Sequence, residues 1–130
     1  LSVSSTSEAL ELSEALLCSG AGEFEVIWIG EVLVTSTILV SNSTSLNITS
    51  SGAATGSPAV IDGGDEVQLF LVDADSSLVL NDLSLQRGLA EAAAVEVIDL
   101  SVLTAVDCFF SYNGGELGHV SFQFSDYHER

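Results

Sequence analysis

The spacing of apolar and polar positions along this chain changes between Gly20 and Phe24. Between Ser7 and Leu17 the apolar residues recur at helical spacing; Ser7 or Thr6 is placed to cap the start, and Gly20 to end the segment. From Phe24 onward, short runs of alternating apolar and polar residues are separated by Gly, Asn, Asp and Ser. That texture is typical of β-strands joined by turns. The pattern therefore predicts one helix followed by strands.

The strand-like runs keep their apolar positions when the numbering is shifted by 25. The superposed residues are Val60 with Leu85, Gly63 with Gly88, Phe70 with Val95, Val72 with Val97, Leu78 with Leu103, Leu80 with Ala105, Leu83 with Cys108, Leu85 with Phe110, Val95 with Val120 and Val97 with Phe122. Upstream, a spacing of 32 superposes Ile38 with Phe70, Val40 with Val72, Leu46 with Leu78 and Ile48 with Leu80. The longer spacing predicts a loop insertion of seven residues in the segment 50–58.

A repeat of about 25 residues with three short strands in each unit predicts an all-β solenoid. Equivalent residues would stack about 4.8 Å apart in parallel sheets, and each repeat would bury its inner face against its neighbours. A β-sandwich predicts hairpins without a kept register, and a β-propeller predicts a repeat of roughly 40–45 residues. We therefore predict a single domain: a capping helix in residues 1–23, then about four coils of parallel β-helix in residues 24–130.

The charge of the chain is one-sided, with 19 Asp and Glu against 2 Lys and Arg and a net charge of -17. Nucleic acids and anionic membranes are polyanions, so this balance argues against both as partners. It favours cations, basic partners or solubility in a salty medium. The chain is also 47% hydrophobic, which argues against a disordered acidic tail.

Two sequons predict an extracellular or cell-surface location. The triplets that begin at Asn42 and Asn47 would accept N-glycans in a secretory pathway. No run is long and apolar enough to span a bilayer. Because the chain contains no Met, we expect a processed fragment whose signal peptide has been removed.

The two cysteines are too few for a disulfide scaffold. Cys108 lies in an apolar pattern and is predicted to be a small core residue. Cys18 follows the helical segment and could pair with Cys108 or with a cysteine elsewhere in a longer protein.

Two segments carry a family resemblance. SSLVLNDLSLQRG (76–88) and SVLTAVDCFFSYNGG (101–115) resemble the repeat of pectate-lyase-like β-helix proteins. The opening ALLCSG, followed by FEVIWIGEVLVTSTILVSN, resembles their N-terminal cap and first coil. The resemblance implies a right-handed parallel β-helix of the kind found in secreted or surface-anchored proteins of bacteria and algae. That fold hosts lyases, hydrolases, epimerases, adhesins and structural proteins, so it implies no single activity.

The residues that enzymes of this fold use are missing or displaced here. Pectate lyases need a basic catalytic residue and polygalacturonases an Asp cluster with a His and a basic residue, but besides the histidines only Arg87 and Arg130 are basic. The tail DYHE (126–129) is similar to the Asp-Pro-His motif of mannuronan epimerases but lacks the Pro. We predict no catalytic residue. The other aromatic and histidine residues are predicted to be core, structural or exposed: Trp28 in the core, and Tyr112, His119 and His128 outside it.

One acidic pair, Asp82 and Asp107, keeps the spacing of 25 and would stack on neighbouring coils. Stacked carboxylates repel unless a cation screens or bridges them, which makes the pair a candidate calcium site. Calcium takes several oxygen ligands at about 2.3–2.6 Å, so two residues alone are not sufficient. The alternative is that such Asp residues cap turns through local backbone bonds. Further carboxylates lie at Asp62, Asp65, Glu66, Asp73 and Asp75. No other cofactor is expected.

The expected function is structural and adhesive. The last coil of a β-helix presents an unpaired edge, which favours stacking against another protein chain, either a second copy or part of a larger assembly. Two alternatives remain on the same fold. One is a carbohydrate-active domain of the lyase or epimerase type, and the other is a module that binds cations or glycans.

Overall fold

A computed structural model describes residues 1–52, 58–88 and 94–111, together with the backbone of 120–123 and 126–129. Within these residues the chain forms one helix, α1 (Thr6–Cys18), and a series of short strands. The strands are β1 (Ser2–Val3), β2 (Glu23–Trp28), β3 (Glu31–Leu33), β4 (Ile38–Val40), β5 (Ser45–Ser50), β6 (Ala59–Asp62), β7 (Phe70–Val72), β8 (Ser77–Asn81), β9 (Leu83–Gln86), β10 (Val95–Ile98), β11 (Val102–Val106), β12 (Phe109–Ser111), β13 (Val120–Gln123) and β14 (Asp126–Glu129). In this part of the chain no helix is long and apolar enough to cross a membrane.

The strands pair in three parallel sheets. Sheet A has the order β1-β2-β5-β8-β11-β14, sheet B the order β3-β6-β9-β12, and sheet C the order β4-β7-β10-β13. From β2 onward the chain visits sheets A, B and C in turn, and then returns to sheet A beside the strand it left. The predicted all-β class and parallel pairing are confirmed.

The spacings read from the sequence match the register of most strand pairs. Phe70 pairs with Val95 and Val95 with Val120, which confirms the spacing of 25. Leu78 pairs with Leu103 at the same spacing. The spacing of 32 upstream is also confirmed, because Ile38 pairs with Phe70 and Leu46 with Leu78.

Strand β6 departs from the predicted register by one residue. Leu85 pairs with Ile61 rather than with Val60, and Val60 pairs with Ser84. Ile61 is fully buried, whereas Val60 lies on the outer face and is half-buried. The three apolar residues Ala59, Val60 and Ile61 are consecutive, so the sequence did not show which of them point inward.

The predicted alignment of Gly63 with Gly88 is also wrong, because it assumed the spacing of 25 and β6 is shifted by one residue against β9. Asp62 pairs with Gln86, so Gly63 lies opposite Arg87. A Cβ on Gly63 would lie 2.7 Å from the carbonyl oxygen of Arg87 and 2.8 Å from that of Val67. Close backbone approach, rather than a repeated turn, therefore explains this glycine.

The inward side chains of the three sheets form one apolar core. The ladder Val26, Ile48, Leu80, Ala105 follows equivalent positions of sheet A, and each side chain is at most 1% exposed. Trp28 is fully buried, as predicted, and its Nε1 donates a hydrogen bond of 3.0 Å to the carbonyl oxygen of Val60. That bond satisfies the indole N–H, which would otherwise be costly to bury.

Helix α1 lies against β1, β3 and β4, the strands that begin the three sheets. Its buried residues Ala9, Leu12 and Leu16 follow one face of the helix. The predicted caps Ser7 and Thr6 are wrong, because Ser5 is the N-cap and its Oγ accepts a hydrogen bond from the backbone N–H of Glu8 at 3.2 Å. The Thr6 hydroxyl instead donates to the carbonyl oxygen of Leu33 at 2.7 Å, which ties the helix to β3.

The segment 1–23 contains more than the expected helix. Strand β1 precedes the helix and pairs with the end of β2, with Val3 opposite Trp28. Strand β2 itself begins at Glu23. A two-residue strand leaves too short an alternation to be found by pattern.

Candidate functional sites

Asp82 and Asp107 occupy equivalent corners between sheets A and B. Asp82 joins β8 to β9 and Asp107 joins β11 to β12, with φ of 56° and 53°. Asp tolerates this left-handed conformation better than most residues with a side chain. The backbone N–H of Asp82 donates to the carbonyl oxygen of Val106 at 2.9 Å, so the two corners are bonded to each other. The corner conformation accounts for Asp at both positions.

The carboxylates of this pair have different surroundings. Asp107 is exposed, whereas Asp82 is half-buried and its Oδ2 atom is buried without a hydrogen-bond partner. Among the residues that the structure describes, no group of three or more Asp, Glu, His or Cys side chains could hold a metal ion. The calcium site at Asp82 and Asp107 therefore stays a prediction.

A second series of left-handed corners joins sheet C to sheet A. The two-residue corners are Asn42-Ser43, Ala74-Asp75 and Asp99-Leu100, all with positive φ. Neighbouring corners bond through the backbone: the N–H of Ser43 donates to the carbonyl oxygen of Ala74 at 2.9 Å, and that of Asp75 to the carbonyl oxygen of Asp99 at 3.0 Å. Turn geometry, the alternative weighed from the sequence, accounts for Asp75 and Asp99.

A ladder of buried hydroxyl groups follows these corners, and the sequence reasoning missed it. Thr44, Ser76 and Ser101 each precede a strand of sheet A and are at most 3% exposed. The backbone N–H of Thr44 donates to Ser76 Oγ at 3.1 Å, and that of Ser76 to Ser101 Oγ at 3.0 Å. In the sequence a Ser or Thr directly follows each of these corners, and that pattern could have predicted the ladder.

Asp62 is a buried carboxylate held by the only Arg or Lys in the described ranges. It is 2% exposed and accepts from Arg87 Nε at 3.0 Å, from the N–H of Gly64 at 2.8 Å and from Gln86 Nε2 at 3.2 Å. Burial alone raises the pKa of Asp62, but these hydrogen bonds and the guanidinium charge outweigh it and leave the pKa lowered. Asp62 was grouped with the candidate calcium ligands, and the structure places it in an ion pair instead.

The outer face of sheet A is lined by short polar side chains. Ser77 Oγ donates to Ser45 Oγ at 3.0 Å, and Asn81 Nδ2 donates to Asn47 Oδ1 at 3.0 Å. Two open hollows lie on this face. The larger, of about 570 Å³, is lined by Glu23, Phe24, Glu25, Ser45 and Asn47. The smaller, of about 290 Å³, is lined by Leu1, Glu25, Val26, Ile27, Asn47 and Thr49.

The two predicted glycosylation sites lie in different settings. Asn42 is exposed on a left-handed corner with φ of 61°. Asn47 lies in the middle of β5, half-buried, with its amide oxygen bonded to Asn81. Occupancy of either sequon stays a prediction.

Both cysteines are free thiols. Cys18 is exposed at the end of α1, and Cys108 packs against the apolar core, as predicted. Burial raises the pKa of the Cys108 thiol, which holds it in the protonated, unreactive form.

The remaining candidate residues lie at the C-terminal end of the chain. Tyr112, His119 and Arg130 fall outside the described residues. The epimerase-like tail forms β14, where the backbone of Tyr127 pairs with Leu103 and that of His128 with Thr104.

Comparisons of this chain with protein-family models, with curated proteins and with solved structures give no match. The resemblance to pectate-lyase-like proteins therefore rests on the sequence segments quoted above.

Proposed function

We propose that the three sheets are the faces of one right-handed parallel β-helix, and that this β-helix is a structural module of an extracellular or cell-surface assembly. The support for a β-helix is the cyclic order of the sheets, because a chain that returns beside the strand it left winds around an axis. Parallel crossover connections are right-handed in about 98% of cases, which favours that hand. The two sequons favour an extracellular location.

The observation that carries the assembly role is the difference between the two ends of the sheets. At one end, helix α1 lies against β1, β3 and β4. At the other, β12, β13 and β14 are the last strands of their sheets among the residues that the structure describes. A strand at a sheet edge presents unpaired backbone groups to which another strand can bond.

The burial of the inward residues of sheet B also favours assembly at the β12–β14 end. In sheet B the inward positions Ile61 and Leu85 are fully buried, whereas the next position, Phe110, is only half-buried. Beside it on β12, the outward Phe109 is 63% exposed. A further strand beside β12 would cover apolar surface of both residues, which is favourable by about 25 cal/mol per Å². The partner is therefore another protein chain whose strands bond to this edge. The simplest case is a second copy joined through the same end, because helix α1 covers the other end; a two-fold contact of this kind pairs the edge strands antiparallel.

Sedimentation velocity over a range of protein concentrations tests this role. We expect reversible self-association that strengthens with salt, because two chains of charge -17 repel each other at low ionic strength. Phe109→Lys should weaken association at least about tenfold, since Lys on an edge strand opposes pairing.

Leu17→Lys is the matched control for this experiment. Leu17 is 60% exposed on helix α1, at the opposite end of the sheets, so this variant makes the same kind of change without touching β12. A monomer at every concentration, or equal weakening by the two variants, would contradict an assembly role for the β12–β14 end.

A module that binds carbohydrate is the second candidate. The hollows on sheet A favour it, because Glu, Ser, Asn and Thr side chains suit the hydroxyl groups of sugars. This candidate concerns binding, and the carbohydrate-active alternative of the lyase or epimerase type stays a prediction.

A further inference from the structure

The two hollows on the outer face of sheet A share Glu25 and Asn47 and so adjoin each other. We call the two together the sheet A groove. Its length follows strand β2 from Glu23 to Ile27, a distance of about 13 Å at roughly 3.3 Å per residue. The hollows, of about 290 and 570 Å³, are open to solvent, so a ligand would lie along the surface of the sheet rather than be enclosed.

Two polar side chains of the groove, Ser45 and Asn47, are held in position by bonds to the next strand. Asn47 Oδ1 is bonded to Asn81 on the next strand, which fixes the orientation of its amide. Ser45 is held in the same way by the hydroxyl of Ser77. Both residues lie beside β2 in register, with Glu23 opposite Ser45 and Glu25 opposite Asn47. The hydroxyl and amide positions are therefore preorganised for a ligand, whereas the exposed carboxylates of Glu23 and Glu25 would become ordered on binding.

The two ends of the groove differ in polarity. At the end near Glu23, most of the lining is polar. At the other end the exposed side chains of Leu1 and Ile27 lie beside Thr49. A pyranose ring has both hydroxyl edges and apolar C–H faces, so a chain of such rings matches this arrangement. An inorganic cation would leave the apolar end unused.

The charge of the groove selects among saccharides. Glu23 and Glu25 are exposed, and the chain as a whole carries a charge of -17. An acidic saccharide is repelled by this field, and a cationic one is attracted. We propose that the sheet A groove binds an oligosaccharide that carries amino groups, with ammonium groups at Glu23 and Glu25 and hydroxyl groups at Ser45, Asn47 and Thr49. This inference rests on the second candidate function above, carbohydrate binding, and is independent of the assembly through β12–β14.

The sequon at Asn47 has a direct consequence for this site. A glycan on Asn47 would fill the groove at its centre, so the two uses of this residue exclude each other. The groove is open only in molecules whose Asn47 carries no glycan, and binding is therefore measured on protein that lacks N-glycans.

Calorimetric titration with a β-1,4-linked glucosamine tetramer tests the proposal. We expect saturable binding at physiological salt, with a dissociation constant raised at least about tenfold by Glu25→Gln, which keeps the shape of the side chain and removes its charge. Glu14→Gln is the matched control, because it removes the same charge from the exposed face of helix α1 and should leave binding unchanged.

Two further ligands separate the parts of the argument. The N-acetylated tetramer, which is neutral, should bind more weakly, and spermine, a cation without sugar rings, should also bind more weakly. The absence of saturable binding would overturn the proposal. Equal loss of affinity in Glu25→Gln and Glu14→Gln would overturn the proposal, because the net charge of the chain would then explain the binding. Equal affinity for spermine would overturn it for the same reason. Equal affinity for the neutral tetramer would overturn the role of the two carboxylates.

Discussion

Asp62 and Arg87 show how one residue pair can depend on its neighbours. The carboxylate is almost completely buried, yet the guanidinium that holds it is 46% exposed and also lies near the charges of Asp65 and Glu31. Burying an unpaired carboxylate is unfavourable, so removing the partner should cost more than the pair itself contributes. The two residues are 25 apart, so the spacing of the repeat would align them directly. The register of β6 and β9 instead pairs Asp62 with Gln86, which makes the ion pair a contact with the next residue along.

The pH dependence of Arg87→Met tests this pair. The pKa of Asp62 is lowered in the folded chain, so its contribution to stability is present above the unfolded value of about 3.9 and is lost as the pH falls through the folded value. We expect the difference in unfolding free energy between wild type and variant to be largest near pH 7 and to shrink below pH about 4. Urea denaturation at several pH values measures it, and a difference that does not change with pH would contradict the ion pair.

The inward and outward residues of strand β8 should respond differently to truncation. Leu80 is fully buried, whereas its neighbour Val79 is on the outer face and half-buried. Leu80→Ala should lower the unfolding free energy by about 2–5 kcal/mol because it leaves a cavity, and Val79→Ala by less than about 1 kcal/mol. Equal losses of unfolding free energy in denaturant titrations would show that the inward and outward faces of β8 are assigned wrongly.

At the scale of elements, the regular strand pairs were predictable, whereas the register of β6 and the groove on sheet A were not. Phe70, Val95 and Val120 repeat at a fixed spacing because stacked strands bury equivalent positions. The one-residue shift of β6 was not predicted because the side chains of Val60 and Ile61 are both apolar, and only burial decides which of them points inward. The groove on sheet A was not predicted either, since Glu25 and Asn47 come together only through the pairing of β2 with β5.

The hydroxyl ladder gives an element-scale prediction. Ser76→Ala removes the acceptor of the buried Thr44 N–H, which should cost about 1–3 kcal/mol of unfolding free energy. Ser77→Ala is the adjacent control, because Ser77 is half-buried and loses only its bond to Ser45, a contribution of about 1 kcal/mol or less. Thermal and urea unfolding compare the two, and a larger effect of Ser77→Ala would contradict the ladder.

At the scale of the whole molecule, the charge of -17 opposes compactness through self-repulsion. The Debye length falls from about 30 Å at 0.01 M salt to about 8 Å at 0.15 M. Added NaCl should therefore raise the Tm over this range, as differential scanning calorimetry would measure. A Tm that does not respond to salt would mean that the carboxylates are too far apart to repel.

Calcium at matched ionic strength separates screening from a specific site. Screening predicts the same Tm in calcium and magnesium chloride. A site at Asp82 and Asp107 predicts an additional rise with calcium that Asp82→Asn removes, and the absence of this rise would end the calcium hypothesis for the pair.

The extra residues between β5 and β6 point to a practical use of this chain. The strand pairs that span this connection keep the predicted register, with Leu46 opposite Leu78 and Ile38 opposite Phe70, and the strand directly after it, β6, is shifted by one residue. A longer connection should therefore leave β7 and the later strands in place, since the entropy of closing a connection grows only slowly with its length. A foreign peptide epitope grafted between Gly52 and Pro58 should be displayed on a scaffold that folds as before.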